Sequence, residues 1–465
     1  MKVALIRCRD KGNINTRLPE SLNMVRGELP PLGLAYIASV LENAGHKVKI
    51  FDICASNLTL DEFRQEITEF SPELAGITVM TPALFGALES ARIAKEAGAV
   101  TVLGGPQLSI YPKETVAYAD VDYGISGEGE YAMLELVKVL EEKNPPDTVK
   151  GLIYKHNGNI FVNAPALVED LDALPLPAYH LLPMKNYNSI IGDYPTSTMI
   201  SSRGCPYQCH FCFKQPNDDK IRFRSAKKVV AEMDYLVKKF KVREIMFYDD
   251  VLTFSRQHVM DICQEILSQN LKIKWESPAR VDNADKGLLE LMHRAGCVRL
   301  RYGVESADES ILELMNKKIN LAQVKETFKM TKMAGIETFA YFMIGYAHET
   351  VETIKKTISF ALGLNSDWAM FTMATPYPAT PLYALALKEG LLKNDYWRDF
   401  TLGNQKNKRI PYFIPDVAAW TKKAYVRFYF RPGFIIKRLM RLRSLQDWQK
   451  CLRGIWSILN MGKNN

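Results

Sequence analysis

The sequence predicts an α/β protein: an N-terminal doubly wound parallel sheet over 1–145, a connector over 146–196, a partial (β/α)6 barrel over 197–390 and a basic helical region over 391–465. Three observations lead there. At 465 residues the chain exceeds what one ordinary hydrophobic core organises. Strand-like runs alternate with helical periodicity through the first region, the pattern of parallel βαβ units. After a proline-punctuated stretch the alternation resumes for six further units, enough for an incomplete barrel. A composition of 47% hydrophobic and 24% charged residues is that of a globular protein.

In the first region Val3–Arg7 reads as a strand, Leu32–Asn43 as a helix stopped by Gly45, and Lys47–Asp52 as a strand. Leu60–Glu69 is helical, Leu74–Met80 a buried strand, Leu84–Ala97 helical, Val100–Leu103 a strand and Glu130–Glu142 helical. Ligands of such sheets lie beyond the carboxyl ends of the strands. That rule selects the loops Asp52–Asn57, Thr81–Leu84, Gly104-Gly105-Pro106-Gln107 and Ser126-Gly127-Glu128-Gly129-Glu130. Gly104, Gly105 and Gly127 permit close backbone approach to a ligand, and Glu128 stands with them as a candidate. For any single loop the plainer reading is an ordinary α/β turn.

The connector carries Pro146, Pro165, Pro175, Pro177 and Pro183, and Gly151–Phe161 reads as a hairpin about Asn157-Gly158. Barrel strands are expected at Ser197–Ser202, Glu244–Tyr248, Lys272–Glu276, Arg299–Gly303, Glu337–Met343 and Ala369–Met373. Ser225 is a good cap for an amphipathic helix with Val229, Val230, Met233, Leu236 and Val237 on one face. Catalytic groups in barrels collect at the carboxyl ends of strands. The candidates there are Asp249 and Asp250, Arg280, Glu305 and Ser306, and Gly345 with His348 and Glu349. Each has a plainer role: a turn at Asp249-Asp250, a surface pair of Arg280 with Asp282, a helix cap at Glu305.

After the first barrel strand comes Cys205-Pro-Tyr-Gln-Cys209-His-Phe-Cys212. Three thiolates at this CxxxCxxC spacing can hold three irons of a [4Fe–4S] cluster, leaving the fourth iron open to a substrate. The alternatives are unliganded cysteines or a zinc knuckle completed by His210, where adjacent Cys209 and His210 bite awkwardly. The other cysteines (Cys8, Cys54, Cys263, Cys297, Cys451) are scattered, which suits a reducing cytosol rather than a disulfide framework. The start MKVALIRCRD reads as a strand and not a signal peptide, and no apolar run approaches the roughly 18 residues of a membrane span.

With Phe211 before its third cysteine, this loop resembles the cluster loop of the radical S-adenosylmethionine (AdoMet) enzymes. Phe247-Tyr248-Asp249-Asp250 occupies the position of that family's segment for the AdoMet amino group. Arg280 and Gly303-Val304-Glu305-Ser306 resemble segments near the AdoMet carboxylate and ribose, and Met343-Ile344-Gly345 resembles the backbone near adenine. Thr375–Pro381 resembles a sixth-strand segment of the cobalamin subgroup, with Ala379 where glycine is more usual. Upstream, Pro30-Pro31-Leu32-Gly33-Leu34 and the loops at 104–107 and 127–130 resemble a cobalamin-binding domain. Domains of the methionine-synthase type place a cobalt-ligating histidine after the second strand; here Asp52–Asn57 holds none, so cobalamin is expected without a histidine lower ligand.

The chain thus resembles the cobalamin-dependent radical AdoMet enzymes, which include methyltransferases and the anaerobic magnesium-protoporphyrin IX monomethyl ester cyclase. The resemblance implies a [4Fe–4S] cluster on Cys205, Cys209 and Cys212, AdoMet, cobalamin, a reductant such as flavodoxin or ferredoxin, and a small-molecule substrate (lipid, tetrapyrrole or natural product). It implies reductive AdoMet cleavage and methyl transfer to an unactivated carbon. Oxidative cyclisation without methyl transfer, and a non-catalytic cobalamin or redox sensor, stand as alternatives.

The net charge of +8 is unevenly placed: residues 421–465 hold eleven Lys/Arg and one acidic residue, leaving −2 for the rest. Nucleic-acid binding is therefore not expected of the body. Phe428–Leu459 interleaves apolar and basic residues with Trp448 and Trp456. That pattern suits a membrane interface, so a cytoplasmic enzyme touching a membrane through its tail is one expectation. The plainer one is a helix packed on the barrel with a solvated basic face.

Overall fold

The structure, a computed structural model, describes residues 1–9, 27–189, 191–215, 218–405, 410–440 and 445–461. The first sheet is built on β1 (Lys2–Arg7), β2 (Lys47–Asp52), β3 (Leu74–Thr78), β4 (Val100–Gly104) and β5 (Tyr123–Ile125), parallel in the order β2-β1-β3-β4-β5. Alternation along β1 makes it doubly wound. Val3 and Leu5 pack with helices Leu32–Asn43 and Glu130–Glu142, while Ala4 and Ile6 pack with Leu60–Phe70 and Leu84–Glu96.

Three elements here were not anticipated. Pro106–Ile110 and Pro112–Val116 are single-turn helices opened by prolines, and β5 spans only three residues, too short to show a period. A further difference concerns the connector. Its hairpin, β6 (Leu152–His156) and β7 (Asn159–Val162), joins the first sheet by antiparallel pairing of β6 with β5. The Asn157-Gly158 turn has positive φ at both positions, as a two-residue hairpin turn requires.

The second sheet has six parallel strands in the order β15-β14-β13-β12-β11-β8. They are β8 (Thr196–Met199), β11 (Glu244–Phe247), β12 (Lys274–Ala279), β13 (Cys297–Glu305), β14 (Glu337–Ile344) and β15 (Trp368–Met373). Between β8 and β11, β9 (Ser202–Arg203) and β10 (Arg222–Phe223) form a small antiparallel ribbon. The order is sequential and the sheet does not close on itself, leaving β15 as an edge. Helix Val417–Tyr429 covers that edge. The Tyr425 hydroxyl accepts from the Phe371 N–H (3.1 Å), and the Tyr429 hydroxyl donates to the Ala369 carbonyl (2.6 Å), so side chains replace a missing neighbour strand.

The region expected as one basic tail divides. Trp397, Phe400 and Ile410 pack into the core of the first domain. Tyr111 and Tyr383 both donate to Asp395 at 2.8 Å, tying that segment to the first sheet. Helices Pro432–Leu439 and Leu445–Leu459 follow, and residues 441–444 lie outside those described. Among the described residues no helix is long and apolar enough to cross a membrane.

Candidate functional site

The cysteine loop leaves β8 through Ser201, Ser202 and Arg203. Asp249, at the end of β11, clamps this exit. Its carboxylate accepts from the Ser201 N–H (2.8 Å), the Ser201 hydroxyl (2.6 Å) and the Ser202 hydroxyl (2.5 Å). Burial pushes the Asp249 carboxyl up to about 6 against those hydrogen bonds. His258 Nε2 lies 2.9 Å from the Ser201 hydroxyl, and burial lowers this imidazole to about 4. Asp250 accepts from the Gly204 N–H at 3.2 Å, one residue before Cys205. The two aspartates thus hold the start of the cysteine loop.

The rest of the loop is strapped to distant elements. Cys205 N–H donates to the Asp218 carbonyl (2.8 Å), and His210 N–H to the Met315 carbonyl (2.9 Å). His210 Nδ1 donates to the Leu314 carbonyl (2.8 Å), and Asn316 to the Gln208 carbonyl (2.7 Å). Leu382 N–H donates to the His210 carbonyl at 2.9 Å. Cys212 presents accessible surface, yet desolvation, with Cys209 second, pushes its thiol up to about 12.

Among the described residues no group of three His, Cys, Asp or Glu side chains converges on a point suited to one metal ion. A [4Fe–4S] cluster makes a different demand, because each cysteine takes its own iron. Cys205, Cys209 and Cys212 feel one another electrostatically, and His210 Nδ1 is spent on the Leu314 carbonyl, so the three thiols without the histidine fit a cluster. A bound metal would deprotonate the desolvated Cys205 and Cys212 thiols.

Basic groups stand near these thiols. Lys317 is buried, donates to Glu305 Oε1 at 2.9 Å, and lies 5.8 Å from the Phe211 ring centroid. Burial works against its charge, but Glu305 and then Cys209 raise its pKa. Glu305 ends β13 at φ +66°, where the register with β14 shifts. A Cβ at Gly303 would collide with the Glu305 carboxylate and the Lys317 ammonium, so glycine makes room for this pair. Arg280 follows β12, buried, with its guanidinium 3.6 Å from the Tyr207 ring centroid and forked onto Asp282 at 2.9 Å. The pair with Asp282 was anticipated at the surface; here the guanidinium is buried instead, and Cys209 is among the groups that raise its pKa.

Two candidates turn elsewhere. Ser306 is fully buried, lies 3.3 Å from the Thr357 hydroxyl and accepts from the Asp308 N–H. Gly345 donates its N–H to Glu349 Oε2 at 2.6 Å, with Tyr346 N–H beside it at 3.1 Å. Burial pushes Glu349 up to about 7, and its Oε1 is buried without a hydrogen-bond partner among the described residues. Ala379 takes φ +55°, which glycine adopts without a Cβ penalty; alanine there costs about 1 kcal/mol.

At the ligand end of the first sheet the chemistry is different. Gly105 sits at φ +110°, and a Cβ there would lie 2.8 Å from the Val79 carbonyl. Gly104 ends β4 beside it, and Met80, past the end of β3, is 56% exposed. The charged groups are already engaged. Asp52 accepts from the Tyr187 hydroxyl (2.8 Å) and the Ala55 N–H (3.0 Å), and pairs with Arg7 at 3.3 Å. Cys54 Sγ donates to the Cys8 carbonyl at 3.3 Å. Glycine, backbone and an exposed thioether suit a broad, largely apolar ligand held by surface contact, which is what a corrin ring presents.

Glu128 departs from the sequence expectation of a cofactor contact. Oε1 accepts from Arg203 (2.9 Å) and Arg222 (3.0 Å), and Oε2 from Arg222 (2.8 Å) and the Val168 N–H. Glu130 takes the other arm of Arg203 at 2.5 Å. Gly127, also at positive φ, abuts Pro165. The loop after β5 is therefore locked by ion pairs to Arg203, two residues before Cys205. Arg203, Arg222, Lys317 and Tyr207 were not anticipated. Their partners are distant in the chain, so no local spacing announces them.

Residues 199–361 match the family model of the radical SAM superfamily, and residues 22–137 that of the B12 binding domain. An uncharacterized methyltransferase of Pyrococcus horikoshii is 35% identical over 428 residues, 89% of this chain and 93% of that protein. The anaerobic magnesium-protoporphyrin IX monomethyl ester cyclase of Rubrivivax gelatinosus is 32% identical over 77% of this chain and 66% of its own length. Among solved structures, the radical AdoMet methyltransferase TsrM of Kitasatospora setae, with cobalamin and a [4Fe–4S] cluster bound, superposes with a TM-score of 0.67 at 18% identity over 83% of this chain and 75% of that one. The cobalamin-dependent radical enzyme OxsB gives 0.71 at 17% identity over 98% and 72%. At such identities the likeness is one of fold.

Proposed function

This chain belongs to the cobalamin-binding radical AdoMet enzymes, and on that premise we propose that it methylates an unactivated carbon of a small molecule. The cofactors of this family are a [4Fe–4S] cluster, AdoMet and cobalamin. When bound, they supply the electron and the methyl carrier for such a reaction.

The chain's own residues have distinct tasks. Cys205, Cys209 and Cys212 would hold three irons of the cluster. Lys317 and Arg280 offset negative charge around Cys209. Asp249 and Asp250 fix the entrance of the loop. Glu305 orients Lys317 and would take the AdoMet polar groups, while the backbone from Met343 to Gly345 would border adenine. Gly104 and Gly105, at the ligand end of the first sheet, would border cobalamin, and no histidine stands in Asp52–Asn57 to reach cobalt.

The observation that carries the reading is the ion-pair lock of Glu128 and Glu130 with Arg203. It joins the ligand end of the first sheet to the entrance of the cysteine loop, as two cofactors serving one substrate require. Methyl transfer is favoured by the Pyrococcus relative, which matches over nearly its whole length. The cyclase of Rubrivivax gelatinosus favours a second reading, oxidation without methyl transfer.

Anaerobic protein reconstituted with iron, sulfide and hydroxocobalamin, then given dithionite and methyl-labelled AdoMet, separates the readings. Methyl transfer yields S-adenosylhomocysteine with label on cobalamin, together with 5′-deoxyadenosine. Deoxyadenosine with no S-adenosylhomocysteine overturns methyl transfer in favour of the cyclase-type reaction. Neither product from the fully loaded protein leaves the sensor reading.

A further inference from the structure

The C-terminal helices pack with their weaker face inward. Helix Leu445–Leu459 lies against Val417–Tyr429 through Ser457, Ile458 and Met461, all buried. Lys422 fastens its end by donating to the Leu459 and Met461 carbonyls at 3.4 and 2.7 Å. The stronger apolar stripe points away. Trp448, Leu452, Ile455 and Leu459 recur at i, i+4, i+7 and i+11, one face of a helix, and are 49%, 59%, 43% and 52% exposed.

Helix Pro432–Leu439 behaves alike, with no buried residue. Leu439 and Met440 are 51% and 74% exposed. Arg438 Nε donates to Cys451 Sγ at 3.3 Å and ties this helix to the next. These helices do pack on the body, through Phe434 against Trp368 and Phe428 and through Ile458 and Met461, but that packing leaves most of their large apolar side chains exposed. A contiguous apolar face of this kind on a water-soluble body marks an interaction site.

Charge selects the occupant. The segment 421–465 carries eleven Lys/Arg against one acidic residue. Two copies of so basic a surface repel each other, whereas an anionic bilayer attracts it. Exposed tryptophans beside aliphatic residues suit the interfacial layer of a membrane. We propose that helices Pro432–Leu439 and Leu445–Leu459 dock this enzyme peripherally on an anionic lipid surface, lying in the interface plane with the Trp448–Leu459 stripe turned to the acyl chains.

Flotation of the full chain with phosphatidylcholine vesicles containing about a third phosphatidylglycerol tests this, beside pure phosphatidylcholine. The expected result is at least tenfold stronger binding to the anionic vesicles, loss of that preference in high salt, and a blue shift of tryptophan emission. The exposed substitutions Trp448→Ser, Leu452→Ser and Trp456→Ser together should cut binding at least tenfold without changing the melting temperature or cobalamin uptake. Wild-type protein that stays unbound on anionic vesicles overturns the proposal. So does equal binding by the triple variant. A concentration-dependent dimer in sedimentation velocity, abolished by the same substitutions, overturns it in favour of a contact between copies. None of these readouts depends on the catalytic reading above.

Discussion

The two parallel sheets prepare their ligand ends in opposite ways. The second presents side chains: three thiols, the Glu305–Lys317 pair and the buried Arg280, which interact with one another. The first presents the lack of them. Gly104 and Gly105 open the loop after β4, Met80 stands exposed after β3, and the acids Asp52, Glu128 and Glu130 are consumed by protein partners. A metal cluster needs covalent donors at set positions, whereas a large flat cofactor needs room and backbone. The same α/β architecture accommodates either, and sequence motifs advertise the first need far better than the second.

Four tests by substitution probe this contrast, in falling order of effect. Replacing Cys205, Cys209 and Cys212 together with Ala should abolish formation of 5′-deoxyadenosine; residual formation above background would contradict the side-chain account of the second sheet. Arg203→Ala strands the buried Glu130 carboxylate and loosens Glu128, so urea unfolding should show a loss of about 3–5 kcal/mol. Adding Glu130→Gln should restore part of it, and a change below about 1 kcal/mol would mean that the lock between the sheets is energetically idle.

Glu305→Ala should weaken AdoMet binding by about tenfold, equivalent to 1.4 kcal/mol, with iron content unchanged; an unaltered affinity would reduce Glu305 to a partner of Lys317. The smallest effect concerns pH. Glu349 sits at about 7 in the fold, raised from 4.5 chiefly by burial. The folded state therefore holds this proton in a window where the unfolded chain has released it, so its contribution to stability falls as pH rises from 4.5 through 7. Glu349→Gln removes the titration. The stability difference between variant and parent should shift by up to about 1.4 kcal/mol per pH unit inside that window and stay flat outside it. A difference that is flat throughout would contradict the assigned burial.

Much of the fold was legible because buried parallel strands write themselves as apolar runs. Helices Leu32–Asn43 and Glu130–Glu142 and strand β2 fall where periodicity places them, and the six barrel strands begin within two residues of expectation. The first barrel strand ends at Met199 rather than Ser202, because Ser201 and Ser202 turn their hydroxyls onto Asp249. The cysteine loop was legible because all three donors sit within eight residues. Lys317 was not, since it meets Glu305 only after an intervening helix, Glu309–Leu314, folds back. Nor was the role of Glu128, whose partners Arg203 and Arg222 are 75 and 94 positions away. Exposure misled as well: the tail was legible as basic and amphipathic, while which face turns outward is decided by packing on Val417–Tyr429.

Cofactor loading tests the contrast most directly. Iron and cobalamin would be measured in the anaerobically reconstituted triple cysteine variant and in Gly105→Val, with melting temperatures as the check on folding. The account predicts a crossed pattern: the cysteine variant loses its iron and keeps cobalamin, while Gly105→Val keeps its iron and loses cobalamin. Full cobalamin binding by a folded Gly105→Val, or joint loss of both cofactors from the folded cysteine variant, would contradict it.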